Sequence, residues 1–338
     1  MAGLRKMLTP FSLLYKEVTD LRNLMYDKEL LKSEAYELPV ICVGNLTVGG
    51  TGKSPMIEYL IRLLKDDFKV AVLSRGYKRS TQGFLYVEPS HTANEVGDEP
   101  LQFKTKYPNI TVAVCADRRE GISKLKPKAE VILLDDAFQH RKVKAGYNIL
   151  LTTFEKPFLD DMLLPAGDLR ESRSGAKRAD AIVITKIPGN AAYAAVQELE
   201  FRLREYAGKP IYKTRIAYAD LIKNNQGSEP IAYLKDKAFT LVTGIANPEP
   251  LITYLTQQGC RFELQRYPDH HEFTKAQLDL IARKELVITT EKDYMRLRDK
   301  IDKKALYYLP IQTEFVEKEG YFESEILDFV HEYWNKIV

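Results

Sequence analysis

Apolar and polar positions fall in two kinds of block along this chain. In the first, Phe11, Leu14, Tyr15, Val18, Leu21 and Met25 recur at helical spacing, which predicts an amphipathic helix within residues 10–31 with Pro10 in its first turn. Lys16, Arg22 and Lys28 share its remaining surface with Glu17, Asp20 and Asp27. Two readings of this helix stay open: it packs on the domain, or it lies on a membrane surface or against an acyl chain. From residue 40 a second kind of block takes over. Short apolar runs at 40–43, 69–74, 84–87, 110–114, 131–134, 148–153 and 181–185 read as strands, with helix-patterned stretches among them at 55–66, 94–107, after 117 and at 190–205. Residues 210–245 read as strands and turns with a polar break at 222–230. Further strands are predicted near 262–267 and 286–290, and helices near 248–257, after 273 and over 321–336. The alternation predicts an α/β fold, a P-loop NTPase-type parallel sheet with helices on both faces plus a smaller second α/β lobe. The expected division is an N-terminal amphipathic helix (1–31), a phosphate-loop core (32–146) and a second lobe (147–338) whose last helix packs back on the core.

The stretch at 40–55, VICVGNLTVGGTGKSP, adds chemistry to the fold. An apolar run meets a glycine-rich turn, then Lys53, Ser54 and a helix-patterned segment. Small residues let the backbone curl so that N–H groups converge on an anion. The helix that follows opens with unpaired donors and a positive dipole end. Thr47, Val48, Gly49, Gly50, Thr51, Gly52, Lys53 and Ser54 thus form a candidate phosphate cradle. Lys53 brings a mobile positive charge and Ser54 a hydroxyl that can ligate magnesium. The common pattern has glycine where Thr47 stands. A plain glycine-rich turn is the alternative, and it leaves Gly-Lys-Ser directly after a β run without a reason.

A phosphate loop needs an acid at the end of a neighbouring strand, and Asp135 and Asp136 follow the run at 131–134. By themselves they would be an ordinary turn or cap. Asp98, in VGDEP, reads equally as a helix N-cap ahead of Pro100 and as a general base near the transferred phosphate. Asp269, His270 and His271 precede a helix, and a carboxylate–imidazole pair takes a proton from a hydroxyl near neutral pH. Zinc is the rival there, without a cysteine pair or helical histidine spacing to support it. Glu171, in GDLRES, is a further acid near the metal or a surface residue. Basic clusters at Arg75/Lys78/Arg79, Arg118/Arg119, Arg141/Lys142/Lys144 and Arg170/Arg173/Lys177/Arg178 follow predicted strands, where ligands of such sheets gather. They read as solvated faces or as phosphate recognition beyond the nucleotide.

Composition narrows these options. A chain of 338 residues has room for a full core and two lobes. A net charge of +3, from 50 basic and 47 acidic residues, argues against a general nucleic-acid binder. Cys42, Cys115 and Cys260 are far apart and form no metal or redox spacing, so they read as buried free thiols of a reducing compartment. No apolar run approaches the roughly 18 residues of a spanning helix. Arg5, Lys6 and the MLTPFSLLY that follows lack the small-residue cleavage site of a signal peptide.

Together, VGNLTVGGTGKSP, LSRGY, GDEP, DDAFQHR, PAGDLRES, the DHH segment and TEKD resemble the tetraacyldisaccharide 4'-kinases, the lipid A 4'-kinases of Gram-negative bacteria, across residues 10–300. The resemblance implies an ATP- and Mg²⁺-dependent kinase acting on the 4'-hydroxyl of a tetraacylated glucosamine disaccharide 1-phosphate. It implies an enzyme peripheral on the cytoplasmic face of the inner membrane, whose smaller second lobe closes over the site; a monomer is expected. The segment from Thr47 to Ser54 would cradle the ATP phosphates, Ser54, Asp136 and Asp135 would hold Mg²⁺ with Glu171 nearby, and Lys53 would neutralise the transferred group. Asp98 would be the base, supported by His270, with His271 as the alternative. Arg75, Arg118, Arg119, Gln139 and His140 fall on the expected substrate side, and the N-terminal helix would meet acyl chains. Ala137 stands where the family often has glycine and Ser54 where it often has threonine; neither change removes a catalytic group. Two other classes remain: a P-loop switch or metallochaperone-type NTPase with a protein partner, for which Thr290-Glu291-Lys292-Asp293 resembles a guanine-reading motif, and a soluble sugar or cofactor kinase without membrane contact.

Overall fold

The computed structural model describes residue 5 and residues 7–269, 271–301, 305–317 and 319–335. Helix α1 (Thr9–Asp27) opens with Pro10 in its first turn. Strand β1 (Val40–Asn45) is buried along its whole length, as a strand covered on both faces must be. It turns through the glycine-rich loop into α2 (Lys53–Leu64). Then come β2 (Val70–Ser74), β3 (Leu85–Tyr86), α3 (Ala93–Val96), α4 (Asp98–Lys106), β4 (Thr111–Val114), α5 (Arg118–Leu125), β5 (Val131–Asp135), β6 (Tyr147–Thr153) and β7 (Ala181–Thr185). Helix α6 (Tyr193–Ala207) leads to β8 (Ile211–Tyr218), and a hairpin follows from β9 (Leu221–Lys223) and β10 (Ser228–Pro230). The remainder is β11 (Ala238–Thr243), α7 (Glu249–Gln257), β12 (Arg261–Arg266), α8 (Lys275–Ala282), β13 (Val287–Thr289), α9 (Glu291–Leu297), β14 (Leu306–Tyr308), β15 (Ile311–Phe315) and α10 (Glu319–Asn335).

These strands make two sheets. The first has nine strands in the order β15-β8-β7-β6-β1-β5-β2-β4-β3, the second six in the order β10-β9-β14-β13-β11-β12. Strand β1 pairs in parallel with β5 on one side and β6 on the other, so the loop after it opens at the middle of the first sheet. Only the two edge strands of that sheet, β3 and β15, run antiparallel to their neighbours. The first sheet continues past residue 146, where the sequence suggested that a second lobe begins: β6, β7, β8 and β15 all belong to it, and the second sheet starts at β9. The apolar runs at 148–153 and 181–185 look alike whichever sheet they join, and only the pairing of β6 with β1 decides it.

One apolar core joins the lobes. It contains Ile57, Leu60 and Leu64 of α2, Phe322, Ile326 and Val330 of α10, and Val287, Met295 and Leu297 of the second lobe. Tyr59 packs at a tilt against Phe315 and Phe322, at 5.0 and 6.1 Å between centroids, and its hydroxyl donates to Glu323 at 2.9 Å, which ties α10 to α2. The sequence pattern did not show α9, a seven-residue helix that follows β13 directly and is capped by the Thr290 hydroxyl.

A charged cluster crosses the same interface. Lys106 Nζ lies 2.5 Å from Glu58 of α2 and 2.5 Å from Glu291 of α9, and both carboxylates are buried. Gln102 donates to Glu58 at 2.7 Å, and the Ile311 N–H donates to Glu291 at 3.3 Å. One ammonium faces two carboxylates. Burial first, then the charge of Glu58, pushes the Glu291 carboxyl up to about 7 against the pull of Lys106. A raised carboxyl stabilises the fold in its protonated form, fully below the ordinary glutamate range, and that contribution is lost as pH rises through about 7. Glu291→Gln removes the titration. Thermal melts should show the Tm difference between Glu291→Gln and the parent moving in favour of the variant between pH 5 and pH 8.5, by an amount worth about 2 kcal/mol; an equal offset at both pH values would show that Glu291 stays ionised throughout.

Candidate active site

The loop after β1 is shaped by close approaches and by ties to distant strands. At Gly44 a Cβ would stand 2.5 Å from that of Phe138, so only glycine lets the two segments meet. Gly49 and Gly52 take φ values of +105° and +89°, the left-handed region, and Gly52 opens α2. Asn45 Nδ2 donates to Thr51 Oγ1 at 2.8 Å and Thr185 Oγ1 to the Thr51 carbonyl at 2.8 Å. Lys186 Nζ, just past β7, donates to the Gly50 carbonyl at 2.6 Å. The Val48 N–H donates to the Asp168 carbonyl at 2.8 Å, and Thr47 forms a bridge with Leu169. Lys53 and Ser54 occupy the first turn of α2, with Lys53 Nζ 3.8 Å from Asp136 Oδ1.

The acids at the end of β5 differ in state. Asp135 is buried and accepts from the Ser74 hydroxyl at 3.0 Å, while its Oδ1 has no hydrogen-bond partner among the described residues. Burial, then the charges of Glu99 and Asp136, push Asp135 up to about 7. Asp136 has a φ of +48°. Burial works against its charge, but Lys53 and Arg170 outweigh burial and hold its pKa below the ordinary value. Arg170 reaches Asp136 at 2.8 and 3.3 Å and also hydrogen-bonds Asn45 Oδ1. In the sequence Arg170 was one member of a basic cluster; in the structure it holds the strand-end acid and the loop together. Glu171, next to it, points elsewhere. It is buried, meets Arg178 at 2.8 Å through both oxygens, and accepts from Gln139 at 3.0 Å and Asn23 at 2.9 Å. Gln139 also donates to the Asn45 carbonyl at 2.7 Å, which links Glu171 to the end of β1.

Helix α4 begins with Gly97 as its cap residue and Asp98 and Glu99 in its first turn. Asp98 Oδ1 accepts from the Glu99 N–H at 3.0 Å, so it supports the helix start from the first turn rather than from the cap. Its other oxygen pairs with Arg296 of α9. Glu99 accepts from Ser54 and, at 2.6 Å, from Lys292 of α9. Burial opposes the charge on Glu99, but Lys292 outweighs it and the pKa falls below the ordinary glutamate value. Arg296 also donates to Asp293 at 2.8 Å and to the Gly244 carbonyl at 3.1 Å. Asp293 accepts from the Gly244 N–H at 2.8 Å and the Thr290 hydroxyl at 2.7 Å. Lys292 and Asp293 are therefore engaged with the acid pair and with α9 itself, and the likeness of this run to a guanine-reading motif does not extend to its contacts. The sequence gives Glu99 and Arg296 no role of their own, and Lys292 appears there only within the TEKD run. The signal was there in GDEP, and in the four-residue spacing of Lys292 and Arg296.

His270 lies outside the described residues. His271 has Nε2 2.9 Å from Gln277 Oε1 and stacks on Tyr267 at 4.9 Å, within an aromatic group that includes Phe273. On the expected substrate side, Arg118 is buried and donates to the carbonyls of Cys115 at 2.8 Å and Asp135 at 3.2 Å. Arg119 pairs with Asp117 at 2.9 Å, and Arg75 is exposed. His140 Nε2 is 3.9 Å from Asp117; burial, then the charge of Arg118, push its pKa down to about 4. Among the described residues no three His, Cys, Asp or Glu side chains form a metal-holding group by themselves.

A family model described as tetraacyldisaccharide-1-P 4'-kinase matches residues 4–331. The tetraacyldisaccharide 4'-kinase of Flavobacterium psychrophilum is 47% identical over 335 residues, covering 97% of this chain and 97% of that protein. That of Parabacteroides distasonis is 43% identical over 353 residues, covering 96% of this chain and 94% of its own length. Among solved structures, LpxK from Aquifex aeolicus in complex with ATP matches with a TM-score of 0.79 and 33% identity, covering 97% of this chain and 99% of that one.

The ties from β7 to the loop make a direct expectation. Lys186→Met removes the donor to the Gly50 carbonyl at an exposed position and should weaken binding of a nucleoside triphosphate about fivefold, with Tm nearly unchanged. Titration calorimetry reads the affinity; an unchanged value would mean that the loop holds its shape without Lys186.

Proposed function

The chain belongs to the tetraacyldisaccharide-1-P 4'-kinase family, and from that premise we propose which of its residues carry the reaction. It is a lipid A 4'-kinase: it uses ATP to phosphorylate the 4'-hydroxyl of a tetraacylated disaccharide 1-phosphate. The P-loop switch alternative is not favoured by these matches. The observation that carries the residue assignment is the hydrogen bond from Ser54 to Glu99. It brings the Asp98–Glu99 pair to within one side chain of the phosphate loop.

In this reading the segment from Thr47 to Ser54 cradles the triphosphate, and Lys53 neutralises charge on the group in transit. The 4'-hydroxyl oxygen attacks the γ-phosphorus, the bond to the β–γ bridging oxygen breaks, ADP leaves, and Asp98 accepts the hydroxyl proton. His270 is the histidine assigned to support Asp98. The residues present fit magnesium, because Asp135 Oδ1 is buried without a partner among the described residues and the donors are hard oxygens. When bound, Mg²⁺ would be held by Ser54, Asp136 and Asp135 and would neutralise the β- and γ-phosphates. Glu171 takes a supporting place, reaching the end of β1 through Gln139. Arg75 and Arg119 face the substrate with His140, while Arg118 ties the chain just after β4 to the end of β5 through their carbonyls.

Helix α1 supports contact with acyl chains and a membrane surface. Its inner face is polar: Ser12 donates to the Leu163 carbonyl at 3.0 Å, Tyr15 to the Arg170 carbonyl at 2.8 Å, and Asn23 to Glu171 at 2.9 Å. Its outer face leaves Phe11, Leu14 and Leu21 more than half exposed, at 63%, 66% and 60%. A helix that turns apolar side chains outward is suited to a bilayer surface. No helix of the described residues is long and apolar enough to cross a membrane. The enzyme acts as a peripheral monomer on the cytoplasmic face of the inner membrane.

Transfer of labelled phosphate from ATP to the tetraacyldisaccharide 1-phosphate in detergent micelles tests the residue roles. Lys53→Ala should abolish transfer, and Asp98→Ala should lower kcat by about 100-fold or more with little change in ATP affinity; parental turnover in Asp98→Ala would remove it from the base role. Leu14→Glu combined with Leu21→Glu should release the protein from anionic vesicles in co-sedimentation, and equal partitioning would make α1 a packing element only.

A further inference from the structure

Asp98 and Glu99 are adjacent carboxylates, largely buried, in a site that must accept a polyanionic nucleotide. Left bare, they would repel each other and the incoming phosphates. Among the described residues, the ion pairs of both acids come from α9 of the second lobe, from residues four apart, so that one face of one helix delivers a charge to each acid: Lys292 to Glu99 and Arg296 to Asp98. Lys53 pairs instead with Asp136, at 3.8 Å.

The Arg296 contact is built in depth. Among the described residues its guanidinium donates to Asp98, to Asp293 Oδ1 at 2.8 Å and to the Gly244 carbonyl at 3.1 Å. Asp293 is itself fully enclosed and fixed by the Gly244 N–H and the Thr290 hydroxyl. A chain of contacts thus runs from the end of β11 through Asp293 and Arg296 to the proposed base. A planar fork holds these acceptors in fixed directions, which an ammonium on a flexible stem does not. Packing does not require the arrangement. Tyr294, Met295 and Leu297 of the same helix already seat it in the shared apolar core, and burying cations carries a desolvation penalty that makes such pairs poor stabilisers. Their value lies in where they hold the acids.

We propose that Arg296 and Lys292 are positioning residues for phosphoryl transfer: α9 sets Asp98 through Arg296 and sets Ser54 through Glu99 and Lys292, so that seating of the second lobe and alignment of the acid pair are one event. This rests on the reading of Asp98 as the base. Arg296 acts through Asp98, and its partners among the described residues lie outside the phosphate loop, so its loss falls on turnover rather than on nucleotide affinity.

The test uses the full chain in micelles, with kcat and the KM for ATP measured for Arg296→Gln, Arg296→Lys, Lys292→Met and Asp98→Asn. Arg296→Gln should lower kcat about 100-fold with KM for ATP within about threefold of the parent. Arg296→Lys should recover part of that loss, because it keeps the charge and loses the fork. Lys292→Met should also lower kcat, by about tenfold. Parental kcat in Arg296→Gln, or a raised KM with kcat unchanged, would overturn the proposal. If Arg296→Gln does not fold, parental kcat in Arg296→Lys overturns it equally, since the three-acceptor fork is then dispensable. Asp98→Asn separates the two ideas. Near-parental turnover there removes the base reading itself, whereas an inactive Asp98→Asn beside fully active Arg296 variants removes only the role of α9.

Discussion

Everything else in this structure answers to the negative charge gathered at the carboxyl end of β5 and at the start of α4. Asp98, Glu99, Asp135 and Asp136 gather there, and each needs a cation, a hydroxyl or a proton. The chain draws these from separate places: Lys53 from the phosphate-loop helix, Arg170 from the loop before β7, Lys292 and Arg296 from the second lobe. Among the described residues the Asp135 carboxylate accepts from the Ser74 hydroxyl alone, and burial raises its pKa, whereas Lys53 and Arg170 lower that of Asp136. Two neighbouring carboxylates are thus driven in opposite directions by their surroundings, and a site that must bind a polyanion keeps its own acids balanced before the ligand arrives.

The same requirement explains why the molecule has two lobes with one shared core. If α9 had only to shield the site, an apolar face would suffice. Instead it buries Tyr294, Met295 and Leu297 and sends Lys292 and Arg296 across to α4. The Glu58–Lys106–Glu291 cluster repeats the theme further from the loop, with an acid from each lobe meeting at one lysine. The N-terminal helix turns the usual arrangement over. Its polar side chains face the protein through Ser12, Tyr15 and Asn23, and its apolar ones face outward, which suits an enzyme whose acceptor carries acyl chains.

Much of this could be read from the order of residues. Strand-length apolar runs and helix-patterned stretches identified nearly all of the first sheet, because side-chain periodicity is a local property of the backbone. Gly-Lys-Ser after β1 and the acid pair after β5 were legible for the same reason: the chemistry of a phosphate loop sits within a few residues of a strand end. The short helix α9 was harder to see. Its seven residues give too little period to recognise, and its apolar members are buried by a partner far away in sequence.

What the order of residues settles is therefore local: the α/β class, a glycine-rich candidate cradle from Thr47 to Ser54, and the kinds of residue that stand at the strand ends. Tertiary structure alone decided which cation answers which acid, since Asp98 and Arg296 lie 198 positions apart and no short-range pattern links them. It decided that the first sheet runs on through β6, β7 and β8, because parallel pairing is a relation between strands rather than a property of one. And it decided which face of α1 looks outward: an amphipathic pattern shows that a helix has two faces, while only the partners of Ser12, Tyr15 and Asn23 show that the polar face is the buried one.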